Sequence, residues 1–226
     1  MTRSYRDRCD AGRVLSESLA AYRGDPQAIV LALPRGGVPV AYEVAQALGL
    51  PLDVLVVRKL GLPSQPELAM GAVASGGAVV LNDDVLRYLP ERSDALERVK
   101  ARELEELARR ERLYRGDRAP LDLRGRTGIV VDDGLATGAT MAAALRAVRS
   151  LGAQRVVAAV PVASPEALER VAALADEVAC PRVPAWFSAV GQWYEVFDQT
   201  GDDEVRDLLL RAARAGAGES RDNLPA

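Results

Sequence analysis

The segment Ile129-Val130-Val131-Asp132-Asp133-Gly134-Leu135-Ala136-Thr137-Gly138-Ala139-Thr140 carries the densest chemical information in this 226-residue chain. Its apolar start completes a strand over Thr127 to Val131. Two carboxylates follow, then a loop of small and hydroxylated residues, then a helix expected from Thr140 to Leu151. Small residues let the loop backbone approach a ligand, and a helix N-terminus aims unpaired N–H groups at it. The hydroxyls of Thr137 and Thr140 add donors, so the loop makes a cradle for a phosphate group. The two aspartates suit vicinal hydroxyls, which donate hydrogen bonds to carboxylate oxygens. Without an intervening diol or magnesium ion, the same aspartates would repel an anion. Phosphate and diol side by side describe a ribose 5-phosphate. A tight threonine-capped turn would explain the glycines and threonines but leaves the paired aspartates without a reason. The segment is neither a Walker A loop, since the lysine of G-x-x-x-x-G-K-[ST] is missing, nor a G-x-G-x-x-G turn.

Outward from this segment, short β-branched runs alternate with helical periodicity. Asp10 to Tyr22 reads as an amphipathic helix, with Val14, Leu15, Leu19 and Tyr22 near helical spacing. Ile29 to Leu33 is a strand stopped by Pro34-Arg35-Gly36-Gly37 and followed by a helix from Val38 to Leu48. Leu52 to Val57 is a second strand, leading into a Gly- and Pro-rich loop from Gly61 to Pro66. Ala69 to Ala74 and Ala78 to Leu81 read as a hairpin around Ser75-Gly76-Gly77. A charged helix is expected from Ser93 to Tyr114, a strand from Arg155 to Val160, a helix from Pro165 to Leu174, a strand at Glu177 to Ala179 and a last helix from Glu204 to Ala213. Strands alternating with helices imply a parallel sheet covered on both faces, with ligands at the carboxyl ends of its strands.

Composition narrows the chemistry. The chain has no histidine, which excludes histidine triads, histidine-containing zinc sites and a histidine general base. A net charge of −3 offers no electrostatic footprint for nucleic acid, so no nucleic-acid partner is expected. Apolar runs such as Val156 to Ala163 stop at strand length, well short of the roughly 18 residues that span a bilayer. The N-terminal MTRSYRDRCD is polar throughout. With Cys9 and Cys180 far apart and outside any C-x-x-C pair, a cytoplasmic protein with reduced thiols is the expectation.

The Asp132 to Thr140 segment resembles the phosphoribosyl-pyrophosphate signature of type I phosphoribosyltransferases, an apolar strand followed by D-D-x-x-x-T-G-x-T, and matches every defined position. In outline the resemblance extends from about Asp7 to Asp207. It implies an α/β fold, a parallel sheet flanked by helices, with a small C-terminal hood. One domain over 1–214 is expected, its core at about 7–179, the hood segment at about 180–203 and a C-terminal helix at 204–214, followed by a flexible tail at 215–226. Asp132 and Asp133 would hold the ribose hydroxyls together with Mg2+, which is bound mainly through the ligand. Ala136, Thr137, Gly138, Ala139 and Thr140 would hold the 5-phosphate. Arg35, Gly36 and Gly37 correspond to the family's pyrophosphate loop, often built with a strained or cis peptide, and Arg58 and Lys59 to its further cationic pair. Gly61 to Glu67 would be the lid.

The resemblance implies transfer of phosphoribosyl from phosphoribosyl pyrophosphate to a small nitrogenous acceptor, such as a nucleobase, with release of pyrophosphate. The alternative is a non-catalytic regulator or sensor of the same ligand. Relatives of that kind often carry a helix-turn-helix, and none is visible here. In a chain with 4% aromatic residues, Trp186, Phe187, Trp193 and Tyr194 cluster in the hood segment. Trp186 and Phe187 are candidates to stack on a planar acceptor, whereas Trp193 and Tyr194 read as hood packing. Relatives acting on 6-oxopurines carry an aspartate just before the Thr-Gly pair, where this chain has Ala136, which argues against hypoxanthine or guanine. Dimers are common in the family, so a homodimer is expected, although no segment of the sequence localises an interface.

Overall fold

The computed structural model describes residues 4–62, 65–81 and 94–219, and only the backbone at 62, 65–69, 94–96 and 216–219. Five strands form a parallel sheet in the order β2-β1-β6-β7-β8, where β1 is Ala28–Ala32, β2 Leu52–Val54, β6 Thr127–Val131, β7 Arg155–Ala159 and β8 Glu177–Ala179. The intervening strands β3 (Val57–Leu62), β4 (Gln65–Ala74) and β5 (Ala78–Leu81) make a separate antiparallel sheet. The helices are α1 (Arg8–Ser18), α2 (Gly37–Leu48), α3 (Asp94–Arg115), α4 (Ala139–Ser150), α5 (Pro165–Ala172) and α6 (Asp202–Glu219). The expected parallel sheet flanked by helices is therefore observed.

All five residues of β1 are buried, as a central strand with both faces covered requires. Alternation along the strands sorts their side chains into two cores. Val30, Ala32, Ile129 and Val131 pack with Leu15, Val44 and Leu48 from α1 and α2, and with Leu107 and Val205 from α3 and α6. Ile29, Leu31 and Val130 face the other way, onto Met141, Leu145 and Val148 of α4 and Ala167 and Val171 of α5. One polar side chain in this frame has a specific partner. Asp53 of β2 is buried and accepts from Arg115 at 3.0–3.3 Å, while Arg115 also donates to the Ala119 carbonyl at 2.7 Å. No helix among the described residues is long and apolar enough to cross a membrane.

Three expectations change. The run from Leu52 to Val57 is not one strand: the chain leaves the parallel sheet after Val54 and enters the antiparallel one at Val57. Leu55 still donates to Ala32 O, but Val56 already exchanges hydrogen bonds with Ser75, so the switch happens inside an unbroken apolar run. Of the expected loop from Gly61 to Pro66, Gly61 and Leu62 belong to β3 and Gln65 and Pro66 to β4, while residues 63 and 64 lie outside the described residues. β3 continues to Leu62 and β4 resumes at Gln65, with register shifts on both sides of Gly61, where a bulge accommodates the extra backbone. Finally, α6 runs from Asp202 to Glu219, further at both ends than Glu204 to Ala213. Asp202, Asp203 and Glu204 complement the positive end of the helix, and Ala212, Ala213 and Ala215 favour its continuation past the expected end. Of the expected tail, 215–219 are helical and 220–226 lie outside the described residues.

Candidate active site

The chain turns from β1 to β2 on one side of the sheet and later places β6 on the other side of β1. A crevice opens at such a reversal, at the carboxyl ends of the strands. Ala32 and Val131 are in register, so the loops leaving β1 and β6 emerge next to each other, and the Leu33 amide extends the ladder to Val131 O at 2.9 Å. The two loops then touch. A Cβ on Gly37 would lie 2.7 Å from Val131 O, and one on Gly36 would lie 2.1 Å from Asp133 Oδ2. Neither glycine has a positive φ, so contact and not conformation is what a side chain here would violate. The Pro34–Arg35 peptide is cis, as the resemblance led one to expect of this loop.

Both aspartates stand at the mouth of this crevice. Asp132 Oδ1 accepts the Asp133 amide at 2.9 Å. Burial, and then the neighbouring Asp133 carboxylate, raise the Asp132 pKa well above the ordinary aspartate value. Asp133 is also raised by burial, but Arg8 opposes the shift, donating through Nε to Asp133 Oδ2 at 2.9 Å. Arg8 reaches two other groups at once: through a second nitrogen it donates to Asp198 O at 2.7 Å, and its guanidinium sits 3.9 Å from the Phe197 ring centroid. Tyr194 donates its hydroxyl to Asp133 O at 2.6 Å, and burial pushes that hydroxyl pKa upward. Its ring packs on Tyr5 and Phe197, with centroids 5.6 and 4.9 Å away. The backbone of Tyr5 and Arg6 bonds to Trp193, Glu195 and Val196, so the N-terminal segment and the hood form one layer braced against Asp133. Neither Arg8 nor Phe197 stood out in the sequence. Arg8 lies 125 positions from Asp133, and no spacing signals a pair of that separation.

Beyond the aspartates the loop turns through Gly138, at φ 70°, into α4. A Cβ on Gly138 would lie 3.1 Å from Ala167 O, so this turn is pressed against α5. The Thr137 hydroxyl accepts the Ala139 amide at 3.4 Å from one residue ahead of the N-cap, Gly138, and Ala136 and Thr137 are exposed. The first-turn amides of α4 face outward from the helix end. Ala136 through Thr140 thus run from the loop after the acidic pair into the first turn of α4.

The cations are placed less uniformly. Arg35 is half-buried, 3.9 Å from Asp202 Oδ1, a carboxylate that also accepts the Tyr114 hydroxyl at 2.6 Å. Arg58 is directed at α3, where its Nε and a terminal nitrogen meet Glu103 Oε2 at 2.8 and 2.6 Å. Lys59, next on β3, is exposed and projects to the opposite face of the strand. Arg58 and Lys59 therefore do not converge on one point. Gly61 sits at the bulge of β3, and Glu67 lies on β4 with its side chain outside the described residues. In the hood, Phe187 stacks on Trp193 with centroids 6.5 Å apart and planes 22° from parallel. Trp186 is 91% exposed, its ring open to solvent.

The family model for the phosphoribosyl transferase domain matches residues 8–197. Two Mycobacterium tuberculosis proteins, from strains CDC 1551 and H37Rv, both named "Putative phosphoribosyl transferase", are 52% identical over 208 residues, covering 92% of this chain and 47% of theirs. The chain spans about half the length of these curated relatives. The crystal structure of TT1426 from Thermus thermophilus superposes with a TM-score of 0.83 at 49% identity, covering 92% of this chain and 98% of that one.

Proposed function

The chain belongs to the phosphoribosyl transferase domain family, and from that premise we propose that it transfers phosphoribosyl from phosphoribosyl pyrophosphate to a nitrogenous acceptor. The contact between Gly36 and Asp133 carries this reading. The anomeric carbon lies between a ribose diol and a pyrophosphate, so groups that hold the two must share one cleft. Here the loop with Arg35, Gly36 and Gly37 lies against the carboxylates of Asp132 and Asp133.

In the proposed reaction the Ala136 to Thr140 run takes the 5-phosphate, and the free carboxylate lone pairs of Asp132 and Asp133 accept from the 2′ and 3′ hydroxyls. The bond from the anomeric carbon to pyrophosphate breaks as the bond to the acceptor nitrogen forms, through an oxocarbenium-like state. Negative charge builds on departing pyrophosphate, and the Gly36 amide with the Arg35 guanidinium would stabilise it, whereas the Gly37 amide already donates to Leu33 O at 3.1 Å. Mg2+ keeps several waters and needs only one or two carboxylates beside substrate oxygens. Two adjacent, partly exposed aspartates fit that requirement, and the ion would supply charge neutralisation to the leaving group.

Magnesium-dependent binding of phosphoribosyl pyrophosphate, measured by calorimetry, is expected to be largely lost when Asp132→Asn and Asp133→Asn are combined. Unchanged affinity in that protein would remove the assignment. Turnover is tested by screening a panel of bases for pyrophosphate release. Tight binding with no release from any base would favour the regulator, and the commitment of Arg58 to Glu103 is the observation on that side.

A further inference from the structure

Four consecutive carbonyls of the phosphate-loop segment are engaged, and three of them are held by residues at or within α5. Leu135 O accepts the Ser164 amide at 2.9 Å, Ala136 O accepts the Ser164 hydroxyl at 2.9 Å, and Thr137 O accepts from Arg170 at 3.0 Å. The fourth, Gly138 O, accepts the Ala142 amide of α4 at 2.8 Å. A trans peptide unit is planar, with its C=O and N–H pointing in opposite directions. Drawing a carbonyl back toward α5 therefore turns the N–H of the next residue away from it. Bonds at Leu135, Ala136 and Thr137 fix the amides of Ala136, Thr137 and Gly138 on the side of the loop facing away from α5.

We propose that Ser164 and Arg170 are positioning residues that preset the amides of the anion cradle from behind. Neither needs to touch the ligand. Ser164 is buried, and its oxygen serves twice: it donates to Ala136 O and accepts the Ala167 amide at 3.1 Å as the N-cap of α5. Arg170, further along the same helix, is exposed and has no core to support, so its bond to Thr137 O is the contact that ties it to the loop. Donors fixed before the ligand arrives cost no reorganisation on binding, which is how such cradles gain affinity.

This inference rests on the reading that Ala136 to Thr140 binds the 5-phosphate, and ribose 5-phosphate is the probe. Calorimetric affinity would be measured for the unaltered protein and for Arg170→Met, Ser164→Ala and Ser164→Thr, with melting temperatures and amide proton shifts of Thr137 and Gly138 in the absence of ligand. Arg170→Met and Ser164→Ala are each expected to weaken binding by about three- to tenfold, the range of one net hydrogen bond. Ser164→Thr retains the hydroxyl and is expected to restore affinity. Arg170→Met is expected to keep its melting temperature while the Gly138 amide shift moves. Binding by the unaltered protein that the Arg170→Met and Ser164→Ala variants match would overturn the inference alone. So would weakening that merely tracks a fall in melting temperature. No binding by the unaltered protein would overturn the cradle reading itself, and the inference with it.

Discussion

Gly36→Ala isolates the contact that joins the loops leaving β1 and β6. Gly36 has φ −58° and ψ −32°, an ordinary helical conformation, so alanine meets no backbone strain. Through the unfolded chain alone the substitution should stabilise by about 0.4–1 kcal/mol. Against this, the new Cβ would stand 2.1 Å from Asp133 Oδ2 and 2.8 Å from its Cγ. The carboxylate must retreat by about 1 Å to reach van der Waals distance, which breaks its 2.9 Å bond to Arg8. The side chains of Arg8 and Asp133 are 12% and 15% exposed, so water replaces that bond poorly. A hydrogen bond to a charged group is worth about 1.5–3 kcal/mol, leaving a net loss of about 1–2 kcal/mol. Urea unfolding of Gly36→Ala, Asp133→Ala and the double variant closes a double-mutant cycle. With the carboxylate gone, Gly36→Ala should cost nothing or stabilise slightly, a coupling of about 1.5–3 kcal/mol. Equal destabilisation in both backgrounds would refute the idea that Asp133 is what keeps position 36 a glycine.

Asp132→Asn is expected to raise stability at neutral pH by about 0.5–2 kcal/mol while reducing ligand binding, the usual exchange at a functional site. Because burial and Asp133 raise the folded pKa of Asp132 above the 3.8 of an ordinary aspartate, its contribution to stability is full below that value and is lost as pH rises through the folded pKa. The advantage of Asp132→Asn in urea unfolding should therefore be larger at pH 8 than at pH 4, and an advantage that shrinks with rising pH would contradict it. Elsewhere, Arg115→Met leaves the buried Asp53 carboxylate, with side chains 8% and 13% exposed in the pair, only the Val54 amide and Arg118 at 3.9 Å, and should cost about 3 kcal/mol in the same assay, the lower end for a broken buried pair. A loss below about 1 kcal/mol would contradict this and mean that Arg118 or water takes over the carboxylate.

What could be read from the sequence follows the range over which its signals act. The strand from Thr127 to Val131, the loop chemistry after it and the strand from Glu177 to Ala179 are local patterns, and each lies where periodicity and residue type put it. The passage from β2 to β3 was not legible, because Leu55 and Val56 are buried in both directions and a continuous apolar run carries no mark of a change of sheet. The bulge at Gly61 reads as a loop for a related reason: glycine and proline signal departure from a straight strand, not whether pairing resumes beyond it. Long-range pairs leave still less trace. Arg58 has the same sequence character whether it faces a pyrophosphate or Glu103, 45 positions away. Arg8 reads as one more charge in the polar N-terminal stretch until the fold brings it to Asp133.

The same long-range contacts explain why this crevice suits a ligand better than it suits the protein alone. Two carboxylates sit side by side with their pKa values raised by burial, and the crevice supplies Asp133 with a single bonded guanidinium while Asp132 accepts a backbone amide. A fold selected for stability alone would remove one of these charges, since a buried carboxylate without a full set of donors costs free energy. Beyond the pair, the carbonyls of Ala136 and Thr137 are drawn toward α5, which would direct the amides that follow them away from it, as donors for an anion. Unmet acceptors at one end and unmet donors at the other are satisfied together by a molecule that carries hydroxyls next to a phosphate. Ligand binding should then strengthen the fold where it is least satisfied, and the hood, tied to Asp133 by Arg8 and Tyr194, lies in the path of that effect. Occupation of the proposed ribose site would thereby be coupled to the layer proposed to cover the acceptor.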